Sequence, residues 1–257
     1  MSILVVEVLS EGMIFGADRN ITTTYSNGTT SQEISRPKVF KWPKDDVLVG
    51  AVGAATVNGL PIEEWLNTLT EEFRQKTSLE EIAKDLNARI QEQRSKDEGT
   101  NPATPMIIHL GGFEKKDGLW LPYIWFIRNT HKPGQFRYLD FRKEFSNTEE
   151  FWKYFKDVDP TEIRKVLKVL AKQFKPFWFH QGIDLFTFNV LESAIKSSFK
   201  LLCEQHPDHD IPTTLEGWSK HVYMQVLMYG AYYEAFHPEG KRYVGGGADV
   251  IFTHWPN

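Results

Sequence analysis

The sequence predicts an α+β fold, a four-layer α-β-β-α sandwich, on three observations. The chain opens on two apolar runs joined by a short turn, "ILVVEVL" and "MIFGA". Its amphipathic helical segments come in two pairs, one in each half of the chain. Strands precede the first pair, separate the two, and close the chain, and this is the order such layers require, because each helix must bury its apolar stripe on a sheet. With 257 residues and 41% hydrophobic content the chain can build one sizeable core, so residues 1–257 are expected to form a single domain.

Ile3–Leu9 and Met13–Ala17 are continuous apolar runs separated by Ser10-Glu11-Gly12, the signature of a hairpin covered on both faces. "TTTYSNGTTSQEISRP" is polar, carries Asn27-Gly28, and reads as a loop or an exposed hairpin. "PKVFKW" and "DVLVGAVG" supply two further strands. In "AATVNGLPIEEWLNTLTEEF" the apolar residues Leu60, Trp65, Leu66, Leu69 and Phe73 recur at helical steps. Ser78 and Glu81 form a capping-box pattern ahead of a second helix striped by Leu79, Ile82, Ala83, Leu86 and Ile90.

"MIIHLGGF", "LWLPYIWFI" and "GQFRYLDF" return to strands, with Lys116-Asp117-Gly118 as a hairpin turn. From Arg142 to Phe179 the chain reads as helix-forming, a helical insertion over about 142–176, with Pro160 after Asp159 marking a helix start. Helices are expected over Leu185–Cys203 and Trp218–Ala235, and "GGGADVIFTH" is the final strand.

The formal charge of −4 gives no electrostatic basis for a nucleic-acid partner, which needs clustered Lys and Arg. No run approaches the roughly 20 apolar residues of a membrane span, and no basic stretch and cleavage site mark a signal peptide, so a cytoplasmic protein without a membrane partner is expected. Cys203 is the only cysteine and forms no internal disulfide. His206, His209 and Asp210 in "HPDHD" are metal-ligand types, but they stand in a polar loop with no further cluster, so neither a metal nor a cofactor is expected.

After removal of Met1 the chain would begin at Ser2, and Asp18 in "GADR" lies sixteen residues further on. "RPKVFKW" contributes Lys38, and "DVLVGAVGAATVNGL" contributes Gly53 at a small-residue turn. In this order and spacing the sequence resembles the proteasome β-subunit family and its HslV-type relatives, within the N-terminal nucleophile (Ntn) hydrolases. The resemblance implies a proteasome-like Ntn fold, Ser2 as nucleophile, Asp18 and Lys38 beside it, and the backbone N–H at Gly53 lining an oxyanion site. It also implies a homo-oligomeric ring or stacked ring; the residues themselves point to no ATPase partner.

The chemistry stands apart from the family. A serine hydroxyl is a poor nucleophile at neutral pH, but an α-amine titrating near 7.7–8.0 can take its proton, and only the first residue of a chain has both groups. A lysine ammonium lowers the cost of the alkoxide, and a carboxylate holds that ammonium in place. In the second half "FHQGID" has Gly182, next to Asp184, where the family pattern has a serine, and Lys241 and Val244 replace an acidic and a hydroxyl residue ahead of the last strand. The function expected is therefore hydrolysis of an amide, foremost a peptide bond. Two alternatives stay open: a non-catalytic proteasome-like subunit, and an Ntn amidase acting on a small molecule.

Overall fold

The computed structural model describes residues 2–24, 30–34, 36–54, 56–96, 104–132, 134–140, 158–173, 177–181, 185–205, 211–236 and 245–256. They fall into two compact units, one built from residues 1–39 and 167–252, the other from 40–166 and 253–257. Both are sheets with helices packed on them.

In the first unit β1 (Leu4–Val8) and β2 (Gly12–Asp18) form the expected hairpin. Its turn is tighter than the sequence suggests, because Gly12 belongs to the strand. Leu9 and Gly12 exchange backbone hydrogen bonds of 2.8 and 3.3 Å around Ser10-Glu11. A two-residue turn fixes the register, Leu4 opposite Ala17, and a slip by one residue would turn every side chain to the wrong face. The polar stretch that follows is a hairpin of β3 (Asn20–Thr24) and β4 (Thr30–Ile34). β12 (Phe177–Gln181) and β13 (Ala248–His254) flank the first pair, giving the order β12-β1-β2-β13.

Helices α5 (Leu185–Gln205) and α6 (Leu215–Phe236) belong to the same unit. Trp218, Val222, Val226, Tyr229 and Tyr233 of α6 form one core with Ile3, Val5 and Ile14. Gly16 permits this approach, since a Cβ there would lie 2.4 Å from Val222 Cγ1. The charge that interrupts the first apolar run, Glu7, is buried with its Oε1 3.8 Å from His221 Nδ1 on α6.

The second unit has a five-stranded sheet in the order β11-β10-β9-β6-β5, formed by Arg137–Asp140, Leu119–Arg128, Met106–Lys116, Leu48–Gly53 and Val39–Lys41. Asp117 (φ 52°) and Gly118 (φ 83°) make the β9–β10 turn with positive φ at both positions, the geometry that suits a twisted two-residue hairpin. The first helical segment is shorter than its periodicity suggests. Thr56–Val57 (β7) and Leu60–Pro61 (β8) pair first, and α1 (Ile62–Thr68) and α2 (Thr70–Arg74) follow, because Asn58-Gly59 at positive φ turns the chain back on itself.

α3 (Leu79–Lys96) matches expectation. The amide of Glu81 donates to Ser78 Oγ at 3.1 Å and that of Ser78 to Glu81 Oε2 at 3.3 Å, so the capping box closes in both directions. Leu79, Ile82, Ala83, Leu86 and Ile90 are buried against the sheet, each Leu or Ile contributing about 1.5–3 kcal/mol of burial.

Of the helical insertion expected over about 142–176, residues 142–157 and 174–176 lie outside the described residues. Asp159 caps a 3₁₀ turn at Pro160–Glu162, its carboxylate accepting from Thr161 N at 2.8 Å, and α4 (Ile163–Lys172) follows. Phe177–Gln181 corrects the expected helix: it is the strand β12, antiparallel to β1 with Phe177 opposite Val8. Aromatic residues after Pro176 suit a strand, and the edge of β1 supplies the backbone partners that settle an ambiguous pattern.

Candidate active site

The hairpin positions the first component. With Leu4 opposite Ala17, Asp18 falls opposite Ile3, and two hydrogen bonds lock that pair: Ile3 N to Asp18 Oδ1 at 2.8 Å and Asp18 N to Ile3 O at 3.3 Å. Ser2 precedes this lock and is partly exposed, whereas Asp18 is fully buried.

Lys38, immediately before β5, is also buried. Its ammonium donates to Ser2 Oγ at 2.8 Å, Asp18 Oδ1 at 2.9 Å and the Asn20 carbonyl at 2.5 Å, so all three of its protons are placed. The carboxylate of Asp18 also accepts from the amides of Asn20 at 3.2 Å and Gly245 at 3.3 Å on Oδ2. The structure thus brings Ser2, Asp18 and Lys38 together within one unit.

Burial holds the Lys38 ammonium below the 10.5 usual for lysine, while the charge of Asp18 and its hydrogen bond pull the other way. Burial likewise raises the Asp18 carboxyl above 3.8, opposed by Lys38 and by the amides of Ile3 and Gly245. Asp18 is the carboxylate beside the Lys38 ammonium, whose other protons go to the neutral Ser2 Oγ and Asn20 carbonyl, while backbone amides also hold the Asp18 anion.

Gly53 lies in the second unit, at the end of β6, with φ +94°. Only glycine fits: a Cβ would stand 2.2 Å from the Pro105 carbonyl, which also accepts from Ala54 N at 2.8 Å. Gly182, Asp184, Lys241, Val244, His206, His209 and Asp210 lie outside the described residues. Among the described residues no group of three His, Cys, Asp or Glu side chains is placed to hold a metal ion, and no helix is long and apolar enough to cross a membrane.

Two partners of the site escape sequence reasoning, the carbonyl of Asn20 and the amide of Gly245. Both act through backbone atoms, which leave no side-chain signature. The run Gly245-Gly246-Gly247 was the available signal, since all three have positive φ (139°, 73° and 97°) and let the chain turn towards Asp18. The Arg19 amide, donating to the Gly245 carbonyl at 3.1 Å, and the Arg19–Asp249 ion pair at 3.2 Å hold this turn in place.

A separate concavity of about 320 Å³ in the second unit is lined by Lys44, Lys76, Glu114, Lys115 and Trp120 among others. Glu114 already fills the N-terminus of α3 there, accepting from the amide of Leu79.

No protein-family model matches the sequence, and no curated protein matches it. Solved structures do. The chain is similar to Anbu (ancestral beta-subunit) from Yersinia bercovieri, at 13% identity and a TM-score of 0.50, over 98% of this chain and 81% of that one. An Anbu structure from Hyphomicrobium sp. strain MC1 also matches, at 13% identity and a TM-score of 0.43, over 98% and 82% of the two chains. The likeness to the Yersinia structure is one of fold: an α+β sandwich of the proteasome-like Ntn hydrolases. It corrects the narrower resemblance to proteasome β-subunits and HslV, from which Anbu is distinct though related.

Proposed function

We propose that the chain is an N-terminal nucleophile hydrolase that cleaves amide bonds, foremost in peptides, once Met1 has been removed. One observation carries this reading: the Lys38 ammonium bridges Ser2 Oγ at 2.8 Å and Asp18 Oδ1 at 2.9 Å.

With Ser2 first in the chain, its α-amine takes the hydroxyl proton as Oγ attacks the substrate carbonyl. Lys38, donating to Oγ, stabilises the alkoxide character that develops, and Asp18 keeps Lys38 charged. The tetrahedral oxyanion is received by backbone N–H donors, for which Gly53 is the candidate; one such donor is worth about 3 kcal/mol. Collapse breaks the C–N bond, and the α-ammonium returns the proton to the leaving amine. Water then attacks the Ser2 ester, again with the α-amine as base, releasing the acid and restoring the hydroxyl. The name beta-subunit carried by the Yersinia Anbu supports assembly of several copies into a homo-oligomer.

Intact mass of the purified chain, followed by hydrolysis assays on peptides and on small acylated amines, tests the reading. Expected are a mass lacking Met1, turnover of peptides, and loss of that turnover in Ser2→Ala. A chain that retains Met1, or a Ser2→Ala protein as active as wild type, overturns it. Trapping of Ser2 by an amide-directed electrophile would exclude a purely structural subunit.

A further inference from the structure

Arg19 meets the last part of the chain at three points. Its amide donates to the Gly245 carbonyl at 3.1 Å, its stem runs beside Gly247, where a Cβ would stand 3.6 Å from Arg19 Cδ, and its Nε lies 3.2 Å from Asp249 Oδ2 on β13. Between the first and last of these contacts the chain turns through Gly245, Gly246 and Gly247, all at positive φ. The same turn sends the Gly245 amide back to Asp18 Oδ2 at 3.3 Å. Gly230 of α6 makes room for it, since a Cβ there would come within 3.2 Å of Gly245 Cα.

The Arg19 and Asp249 side chains are 35% and 27% exposed, and water screens the field of a pair so placed. What the pair can do is fix a turn of three glycines, which has no side chain of its own and the widest backbone freedom of any residue type. A turn tied in this way keeps an amide on one oxygen of Asp18 while Lys38 occupies the other. Asp18 of β2 is the charge that acts directly on Lys38. With Met1 removed, the Ser2 α-amine stands on the residue whose Oγ accepts from Lys38.

We propose that Arg19 and Asp249 are positioning residues of the Ser2 site: their ion pair ties the glycine turn so that the Gly245 amide stays on Asp18 Oδ2 and shares that carboxylate with Lys38. The effect on rate rests on the hydrolase reading; the effect on Lys38 needs no turnover. A carboxylate that loses an amide donor draws harder on the proton of its remaining partner, and water that enters the loosened turn relieves the burial that holds Lys38 below its usual value. Both move the Lys38 titration upward.

Arg19→Met, Asp249→Asn and Gly245→Ala test the tie in the full chain, the last by straining the turn without altering a charge. Lys38 is titrated by NMR of protein labelled with isotopic carbon at lysine Cε, its signal assigned by its absence from Lys38→Arg, and the alkaline limb of kcat/KM for peptide hydrolysis is followed in parallel. Each of the three variants raises both by about half a pH unit. Arg19→Lys, which keeps the charge facing Asp249, titrates like wild type. A field effect alone would move Arg19→Met up and Asp249→Asn down and leave Gly245→Ala unmoved; a purely structural role would lower stability and kcat with Lys38 unmoved. Either result overturns the proposal, as does Arg19→Lys behaving like Arg19→Met. Thermal unfolding identifies the folded variants, and Asp249→Asn with Gly245→Ala decides the matter if Arg19→Met does not fold. A wild type without turnover whose Lys38 responds as expected overturns the hydrolase reading and upholds the tie.

Discussion

The amide of Ile3 donates to Asp18 Oδ1 at 2.8 Å, the same oxygen that holds the Lys38 ammonium at 2.9 Å. The residue after Ser2 and the lysine beside it are thus aligned by one atom. Asp18→Asn keeps the shape but leaves Lys38 without its counter-ion in a buried place, which costs about 3–5 kcal/mol. Chemical denaturation should show that loss, and hydrolysis should fall with it in a folded sample below the denaturation midpoint.

A pH–rate profile of kcat/KM should be bell-shaped. The acid limb follows the Ser2 α-amine, which must be unprotonated to accept the hydroxyl proton; unperturbed α-amines titrate near 7.7–8.0. The alkaline limb is the loss of the Lys38 proton, and because burial lowers that group it must fall below 10.5. Lys38→Arg, which stays charged throughout, should remove the alkaline limb from whatever activity remains; a limb that persists unchanged assigns it to another group.

Gly53→Ala tests the β6 turn. Alanine at φ +94° meets a left-handed backbone cost of about 1–2 kcal/mol, and its Cβ collides with the Pro105 carbonyl. Thermal unfolding should show a loss larger than that range, and peptide hydrolysis should drop in the same variant. Wild-type stability would mean that the turn relaxes freely.

His109 in β9 is fully buried, edge-on to Phe126 at 4.5 Å between ring centres, and burial, aided by Arg128, pushes its pKa down to about 3. Between pH 6.5 and about 3 the unfolded chain binds a proton that the folded chain refuses, so stability falls as pH drops through that window. The full effect is on the order of 5 kcal/mol. His109→Phe should flatten the acid slope of unfolding free energy measured by urea titration over that range.

Much of the architecture and of the site was legible because hairpins and amphipathic helices write their geometry into spacing. The tight turn between Leu9 and Gly12 makes the distance from Ser2 to Asp18 a matter of counting, and the capping box announces α3. Phe177–Gln181 was misread because aromatic clusters suit either element, and only the open edge of β1 decides between them. Asn20 and Gly245 stayed hidden because they act through backbone atoms brought in from distant parts of the chain.

The Gly245 amide reaches Asp18 across 227 residues. During synthesis on the ribosome, therefore, a growing chain already has Ser2, Asp18 and Lys38 long before it has the last donor to the carboxylate. The full set of contacts around Asp18 is completed late, when the final strand joins β2, so the carboxylate that holds Lys38 gains its last amide donor only once nearly the whole chain has been made.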